Sequence, residues 1–330
     1  MLGIDVSKAT LACTQLDPLT RQTLWYGAVA NTEAGLADLL RRIPADCPWV
    51  LEPTGRYSDL AVRVARTHGR TVLLAPPKHA KRFLASVQSR AKTDPLDSRG
   101  LGLFALSVPL RPFPEKSPAV EQLQQLLRAR RGLSKAITLL EQQRQALPQA
   151  AEALTRALTA LHQERDTLDQ QVQELVADQS RFATVAELDR VHGIGPLTAA
   201  TVAACLESKQ FNHPDQFVAF IGLDIAVRQS GQRRGQIGLT REGDAELRRL
   251  FYLAALANVR CKHSPFKTLY QQHRAKGLSG TAAACAVARK LARVCWSLVK
   301  YQSRYDPERV TQQAKRPPSK PLQEKSSGSA

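Results

Sequence analysis

No zinc-type cysteine pattern occurs in this sequence. Its six cysteines (Cys13, Cys47, Cys205, Cys261, Cys285, Cys295) include no C-x-x-C pair and no Cys/His cluster at ligand spacing. A structural zinc site is thereby excluded, and the thiols are expected to be reduced and mostly buried. A run of about 18 apolar residues, the minimum for a bilayer span, is also missing. Asp5 and Lys8 interrupt the first apolar run, so no signal-peptide pattern opens the chain. These absences give the expectation of a soluble cytoplasmic protein. Acid is scarce: 29 Asp and Glu stand against 47 Lys and Arg, a net charge of +18. The imbalance sits mainly after residue 226, where 21 basic residues face 6 acids. A polyanionic partner is implied, nucleic acid before membrane, with the last third as its electrostatic platform.

The 330 residues suffice for two or three domains with cores of their own. Residues 2–7, 10–16 and 22–29 alternate as strands. Asn31-Thr32-Glu33 opens an amphipathic helix (Leu36, Leu39, Leu40, Ile43) that ends before Pro44, and 49–52 returns as a strand. Helix 55–68, strand 71–75 and helix 78–87 follow. Antiparallel strands succeeded by β-α-β units predict a mixed sheet with helices on its faces. Proline density over 111–118 marks a boundary. Residues 120–178, rich in Leu, Gln, Glu and Arg and broken at Pro148, predict two long antiparallel helices or a coiled-coil arm. Helices are further expected at 214–220, 245–259, 265–275 and 281–301, with a disordered tail from 304. The resulting division is 1–112, 113–182, 183–303 and 304–330.

Four acids fall where a carboxylate needs compensation. Asp5 lies within an apolar strand, Glu52 ends another, and Asp94 and Asp97 share the first turn of a helix that Asp94 caps and Pro95 starts. Three elements of one α/β domain converging on Mg²⁺ would give the two-metal clamp of phosphoryl transfer. A capping Asp94, a solvated Asp97 and a strand-end Glu52 are the ordinary alternative.

The second half offers nucleic-acid contacts. His192-Gly193-Ile194-Gly195-Pro196 between helices has the form of a helix-hairpin-helix, whose amides can hold phosphate without reading sequence, or of a plain turn. Arg228, Ser230, Gly231, Arg233 and Arg234 form a basic, glycine-rich loop or hairpin. Arg241 precedes a helix carrying Arg248 and Arg249, which contact phosphate or line a solvated face. His192 is expected to be structural.

Taken in order, Gly-Ile-Asp5-Val-Ser-Lys, Glu52-Pro-Thr-Gly, Lys-Thr-Asp94-x-x-Asp97, His-Gly-Ile-Gly-Pro, Phe-x-Gly222-Leu, Ser230-Gly231 and Gly243-Asp-x-x-Leu-Arg-Arg resemble the DEDD transposases of the insertion-sequence one-ten family, relatives of the Piv invertases. The match runs to about Tyr301, and the ordered set is far more specific than any one motif. The resemblance implies a RuvC-like (RNase H-like) domain, a coiled-coil insertion and a mainly α C-terminal transposase domain. It implies recombination of double-stranded DNA guided by a structured non-coding RNA, by a tetramer of two dimers working on nucleoid DNA in a prokaryotic cytosol. Asp5, Glu52, Asp94 and Asp97 match the Mg²⁺-binding acids, and Ser230 matches the serine that forms a covalent DNA intermediate. One departure is Thr240-Arg241-Glu242-Gly243, where the family often has Ser-Lys-x-Gly.

Ser230 also has its own chemical case, since Arg228, Arg233 and Arg234 could hold a phosphodiester beside its hydroxyl. The commoner use of Ser-Gly is to close a turn. Thr240 is the fallback hydroxyl, although its β-branch crowds in-line attack and capping the next helix would explain it. The competing functions are a metal-only RNase H-like nuclease such as a junction resolvase, and a binding protein without cleavage. An actin-like sugar kinase, suggested by Gly-Ile-Asp-Val-Ser-Lys, lacks the second phosphate motif, Asp-x-Gly-x-Thr.

Overall fold

The computed structural model describes residues 1–53, 56–87, 94–113, 117–226, 229–230, 233–234 and 238–310. The chain divides into two compact units, Met1–Pro114 and Glu115–Ala330.

The first unit is built on strands β1 (Leu2–Val6), β2 (Thr10–Leu16), β3 (Thr23–Ala30), β4 (Trp49–Leu51), β5 (Val72–Leu74) and β6 (Arg111–Pro112), in the order β3-β2-β1-β4-β5-β6. β1, β4 and β5 run parallel, while β2, β3 and β6 are antiparallel to their neighbours. Its helices are α1 (Glu33–Arg42), α2 (Arg56–Thr67), α3 (Pro77–Val87) and α4 (Asp94–Ser107). Thr32 caps α1, its hydroxyl accepting from the Gly35 N–H.

One face of the sheet buries Leu2, Ile4, Val6, Trp49 and Leu51 against Leu36 and Leu39 of α1 and Ala61 and Ala65 of α2. The other buries Val50 and Ala75 with Ala80 of α3 and Leu101 and Phe104 of α4. Each fully buried leucine or isoleucine here stabilises the fold by about 1.5–3 kcal/mol. The mixed sheet agrees with the sequence reading. β6 does not, for Arg111–Pro112 reads as a boundary. Pro112, lacking an N–H, is compatible with the sheet edge where it lies.

The second unit is helical. α5 (Pro118–Ala146) and α6 (Ala151–Val176) pack against each other across a 3-10 turn, Pro148–Ala150. An Arg130–Asp169 ion pair links them, with Nη2 donating to Oδ2 at 3.2 Å. Helices α7 (Gln179–Asp189), α8 (Pro196–Glu207), α9 (Pro214–Phe220), α10 (Ala245–Arg260), α11 (Lys267–Ala275) and α12 (Gly280–Tyr301) complete it. Val120 and Leu123 of α5 and Val172 of α6 belong to the same buried cluster as α8, α10 and α12. The long helices are thus rooted in the second unit's core.

The tail is shorter than expected. Residues 304–310 pack on this unit, where the Tyr305 N–H donates to Glu187 and Val310 is buried. One apolar anchor and one buried backbone bond outweigh the polar composition; the expected tail beyond residue 310 lies outside the described residues. All six cysteines are free, and burial pushes the Cys13, Cys205 and Cys295 thiols up to about 12. No helix among the described residues is long and apolar enough to cross a membrane.

Candidate functional site

The geometry of the acids starts from strand alternation. Leu2, Ile4 and Val6 face α1 and α2, so Gly3 and Asp5 face the opposite side, under α4. Gly3 is where helix and sheet approach. A Cβ there would lie 2.0 Å from the Ser98 carbonyl oxygen and 2.6 Å from the Gly102 nitrogen. Ser98 Oγ and Thr14 Oγ1, both buried, are hydrogen-bonded at 2.7 Å. A Cβ on Gly102 would meet Leu16 Cδ1 at 2.8 Å. Thr14 pairs with Gly3, and the Leu16 N–H donates to the Met1 carbonyl. Read from Gly102 to Ser98, α4 therefore advances along β1 toward Asp5, and its first turn lies over that end of the strand.

Glu52 reaches the same end. β1 and β4 are in parallel register with Ile4 opposite Leu51, so Asp5 and Glu52 are the next residues of adjacent strands. Val50 faces α4 and Leu51 faces away, and continued alternation turns Glu52 toward α4. Asp5, Glu52 and Asp97 thus share one face at the carboxyl ends of two parallel strands, where open α/β sheets bind ligands. All three are half-buried. Asp94 is the first residue of α4 rather than the residue before it, and its side chain lies outside the described residues. The positive helix terminus favours both acids of this turn.

The donors are all carboxylates, the chemistry a hard divalent cation requires. Among the described residues, no three His, Cys, Asp or Glu side chains lie close enough together to hold a metal ion.

In the second unit, β7 (Ile225–Ala226) pairs with β10 (Gly238–Leu239), and between them β8 (Gln229–Ser230) pairs with β9 (Arg233–Arg234), Ser230 opposite Arg233. The expected basic loop is thus a ribbon with Ser230 near its tip. Arg228 and the side chains of Ser230, Arg233 and Arg234 lie outside the described residues.

Thr240 closes the root of this ribbon, its N–H donating to the Asp224 carbonyl at 3.1 Å and its hydroxyl to the Asp224 carboxylate. Its expected role as helix cap is corrected, because Asp244 caps α10, accepting from the Glu246 and Leu247 N–H groups at 2.9 and 3.0 Å. The sequence offers two capping residue types before α10, and the aspartate is adjacent to it.

Arg248 is corrected likewise from a phosphate contact or solvated residue to a brace. Its Nη1 donates at 3.1 Å to both the Ile221 and Arg241 carbonyls. Arg249 donates to Glu246 at 2.6 and 3.2 Å, and the pair holds Glu246 below the usual glutamate range and Arg249 above its own. Arg241 is exposed, with a left-handed backbone (φ 53°) uncommon for a side chain with a Cβ.

The turn between α7 and α8 has its glycines in different roles. Gly193 has φ 81°, and a Cβ would lie 2.6 Å from the Ala254 carbonyl oxygen and 2.5 Å from Asn258 Nδ2. It is a packing glycine. Gly195, at the N-cap of α8, is exposed with open space around it, so its terminus is accessible to a phosphate. His192 is structural, as expected: its carbonyl accepts from Asn258 and its Nε2 lies 3.0 Å from Cys261 Sγ. Sequence reasoning missed Asp224, Arg289 and Arg293. The arginines carried a signal, an i, i+4 pair on one face of α12.

A family model described as transposase (DEDD_Tnp_IS110) matches residues 2–152, and one described as transposase of the IS116/IS110/IS902 family matches 185–271. A Pseudomonas aeruginosa protein named "Probable family 20 transposase" is 27% identical over 309 residues, 83% of this chain and 90% of that one. A 42 kDa protein of insertion element IS900 from Mycobacterium paratuberculosis is 30% identical over 121 residues, 36% of this chain and 30% of its own. The transposase of element IS1111A from Coxiella burnetii is 32% identical over 138 residues, 40% of this chain and 37% of its own.

Proposed function

The chain belongs to the IS110 family of transposases, and from that premise we propose that it cuts and rejoins double-stranded DNA through a serine-linked intermediate. In this reading the first unit is a RuvC-like domain, and a structured non-coding RNA selects the DNA. The observation that carries the reading is the convergence of Asp5, Glu52 and the first turn of α4 on one sheet face at the ends of β1 and β4. Mg²⁺, when bound by Asp5, Glu52, Asp94 and Asp97, would neutralise charge on the phosphate under attack.

The remaining steps belong to the chain. The Ser230 hydroxyl attacks the phosphorus, an O–P bond to serine forms, the bond to the departing strand breaks, and that strand leaves with a hydroxyl that takes up a proton. A strand hydroxyl from the second duplex then attacks the phosphoserine, reversing the same exchange and releasing the serine. One phosphodiester is traded for another, so no nucleotide hydrolysis is needed. The β8–β9 ribbon supports this role because it places Ser230 opposite Arg233 on a basic element. Thr240, committed to Asp224, is the poorer nucleophile.

A homodimer assembling to a tetramer belongs to the same proposal. Leu139 and Leu147, 55% and 53% exposed at the far end of the α5–α6 pair, support an arm that meets a second copy. Light scattering should return a mass above that of one chain.

The deciding experiment incubates the protein, its co-purified RNA and Mg²⁺ with a nicked suicide duplex carrying candidate element ends. A denaturation-stable protein–DNA adduct mapping to Ser230 is expected, lost in Ser230→Ala and after digestion of the RNA. Asp5→Asn should lose cleavage and keep binding. Cleavage without an adduct would instead establish the metal-only nuclease, and binding without cleavage the inactive relative.

A further inference from the structure

One turn of α12 gathers charge at the root of the ribbon. Arg289 feels Asp224, the residue that Thr240 clasps, and Cys285, a turn earlier on the same helix, feels Arg241 from the loop before α10. The next turn supplies a contrast. Arg293 is satisfied, with Nε and Nη2 donating to Asp215 Oδ1 at 2.9 and 2.6 Å. Arg289 is half-buried, and its Nε is fully buried without an acceptor among the described residues.

A guanidinium withdrawn from water without an acceptor costs stability. Desolvation, followed by the charge of Arg293, accordingly pulls Arg289 below the usual arginine range. Arg241 is held at positive φ with its carbonyl fixed by Arg248 and its side chain exposed. A non-glycine residue in that region costs on the order of 1 kcal/mol, which the surrounding contacts must sustain.

We propose that Arg289 and Arg241 form a seat for a nucleic-acid phosphodiester at the root of the Ser230 ribbon. A phosphodiester offers two anionic oxygens to the planar guanidinium fork, supplying the acceptors Arg289 lacks and the charge both arginines call for. The Asp224 carboxylate, already bonded by Thr240, does not fill that role. The seat rests on the transposase reading only for the nature of its ligand.

The test measures binding of the full-length protein to a short random-sequence DNA duplex and, in parallel, to an RNA hairpin, across a salt series. Arg289→Gln should weaken binding several-fold and reduce the slope of log K against log salt by about 0.9 on the duplex, the value of one phosphate contact. Its melting temperature should hold or rise, because a desolvated charge has been removed. Arg289→Lys, which keeps charge but loses the fork, should recover part of the affinity and serves if the glutamine variant misfolds. Loss confined to DNA, confined to RNA, or common to both supports the seat and identifies its occupant. Unchanged affinity and slope on both arms, with a lower melting temperature, would overturn it and leave Arg289 as a neighbour of Asp224 alone. Binding is read here without cleavage, so Arg289-dependent binding without any serine adduct would count against the Ser230 reading only.

Discussion

Gly3 and Ser98 meet where the first-turn acids are set: the Ser98 carbonyl lies where a Cβ on Gly3 would be, 2.0 Å from that position. Ser98 follows Asp97 directly, so the distance from α4 to the sheet also fixes how far the helix acids stand from Asp5. Gly3→Ala should lift the helix, costing about 1–3 kcal/mol by overpacking, with Mg²⁺-dependent cleavage falling further than stability explains. Denaturant unfolding beside a cleavage assay checks this.

Thr14 and Ser98 hold the same contact by a hydrogen bond between buried hydroxyls. Ser98→Ala leaves Thr14 without this partner and should cost about 1–3 kcal/mol. The double variant Thr14→Val with Ser98→Ala should cost less than the two single changes added together, the coupling a double-mutant cycle reads.

Much of this frame was legible beforehand. The alternation of β1, the Gly and Pro punctuation, and the four acids all register in local sequence, because strand period and turn chemistry are local properties. The convergence of those acids is not local. It depends on the register Ile4 to Leu51 and on two glycines, Gly3 and Gly102, whose meaning appears only once a helix lies across them. Thr240 and Arg248 were misread for the same reason, since Asp224 and the Ile221 carbonyl are tertiary partners. β6 was hidden by its proline, and Arg289 by the expectation that an arginine on a helix face is solvated.

Gly193 should tolerate no side chain. Its positive φ and its contact with Ala254 both oppose one, and Gly193→Ala should cost about 1–3 kcal/mol. Gly195→Ala, in open space at extended φ, should leave stability nearly unchanged. Thermal melting separates the two directly.

The pH dependence of stability should carry two opposite signatures. Arg249 holds Glu246 below the usual range, so this pair's contribution is fully present above the ordinary glutamate pKa and is lost as pH falls through the lower folded value. Arg249→Ala should flatten that acid limb. Burial pushes Glu207 the other way, against the bond it accepts from Thr184 at 2.5 Å. Its raised pKa favours the fold below the ordinary value and costs stability as pH rises through the folded one. Glu207→Gln, which can still accept from Thr184, should raise the melting temperature at neutral pH.

The order of strands in the first unit also carries a timetable. β1, β2 and β3 pair with their chain neighbours and can zip as soon as they are synthesised, whereas β1 receives β4 only after α1 has formed, and α4 comes later still. Asp5 therefore waits for partners that arrive near the end of the unit. A newborn chain carries the first acid of the set from its fifth residue, yet it remains chemically silent until the last helix of that unit closes over the sheet.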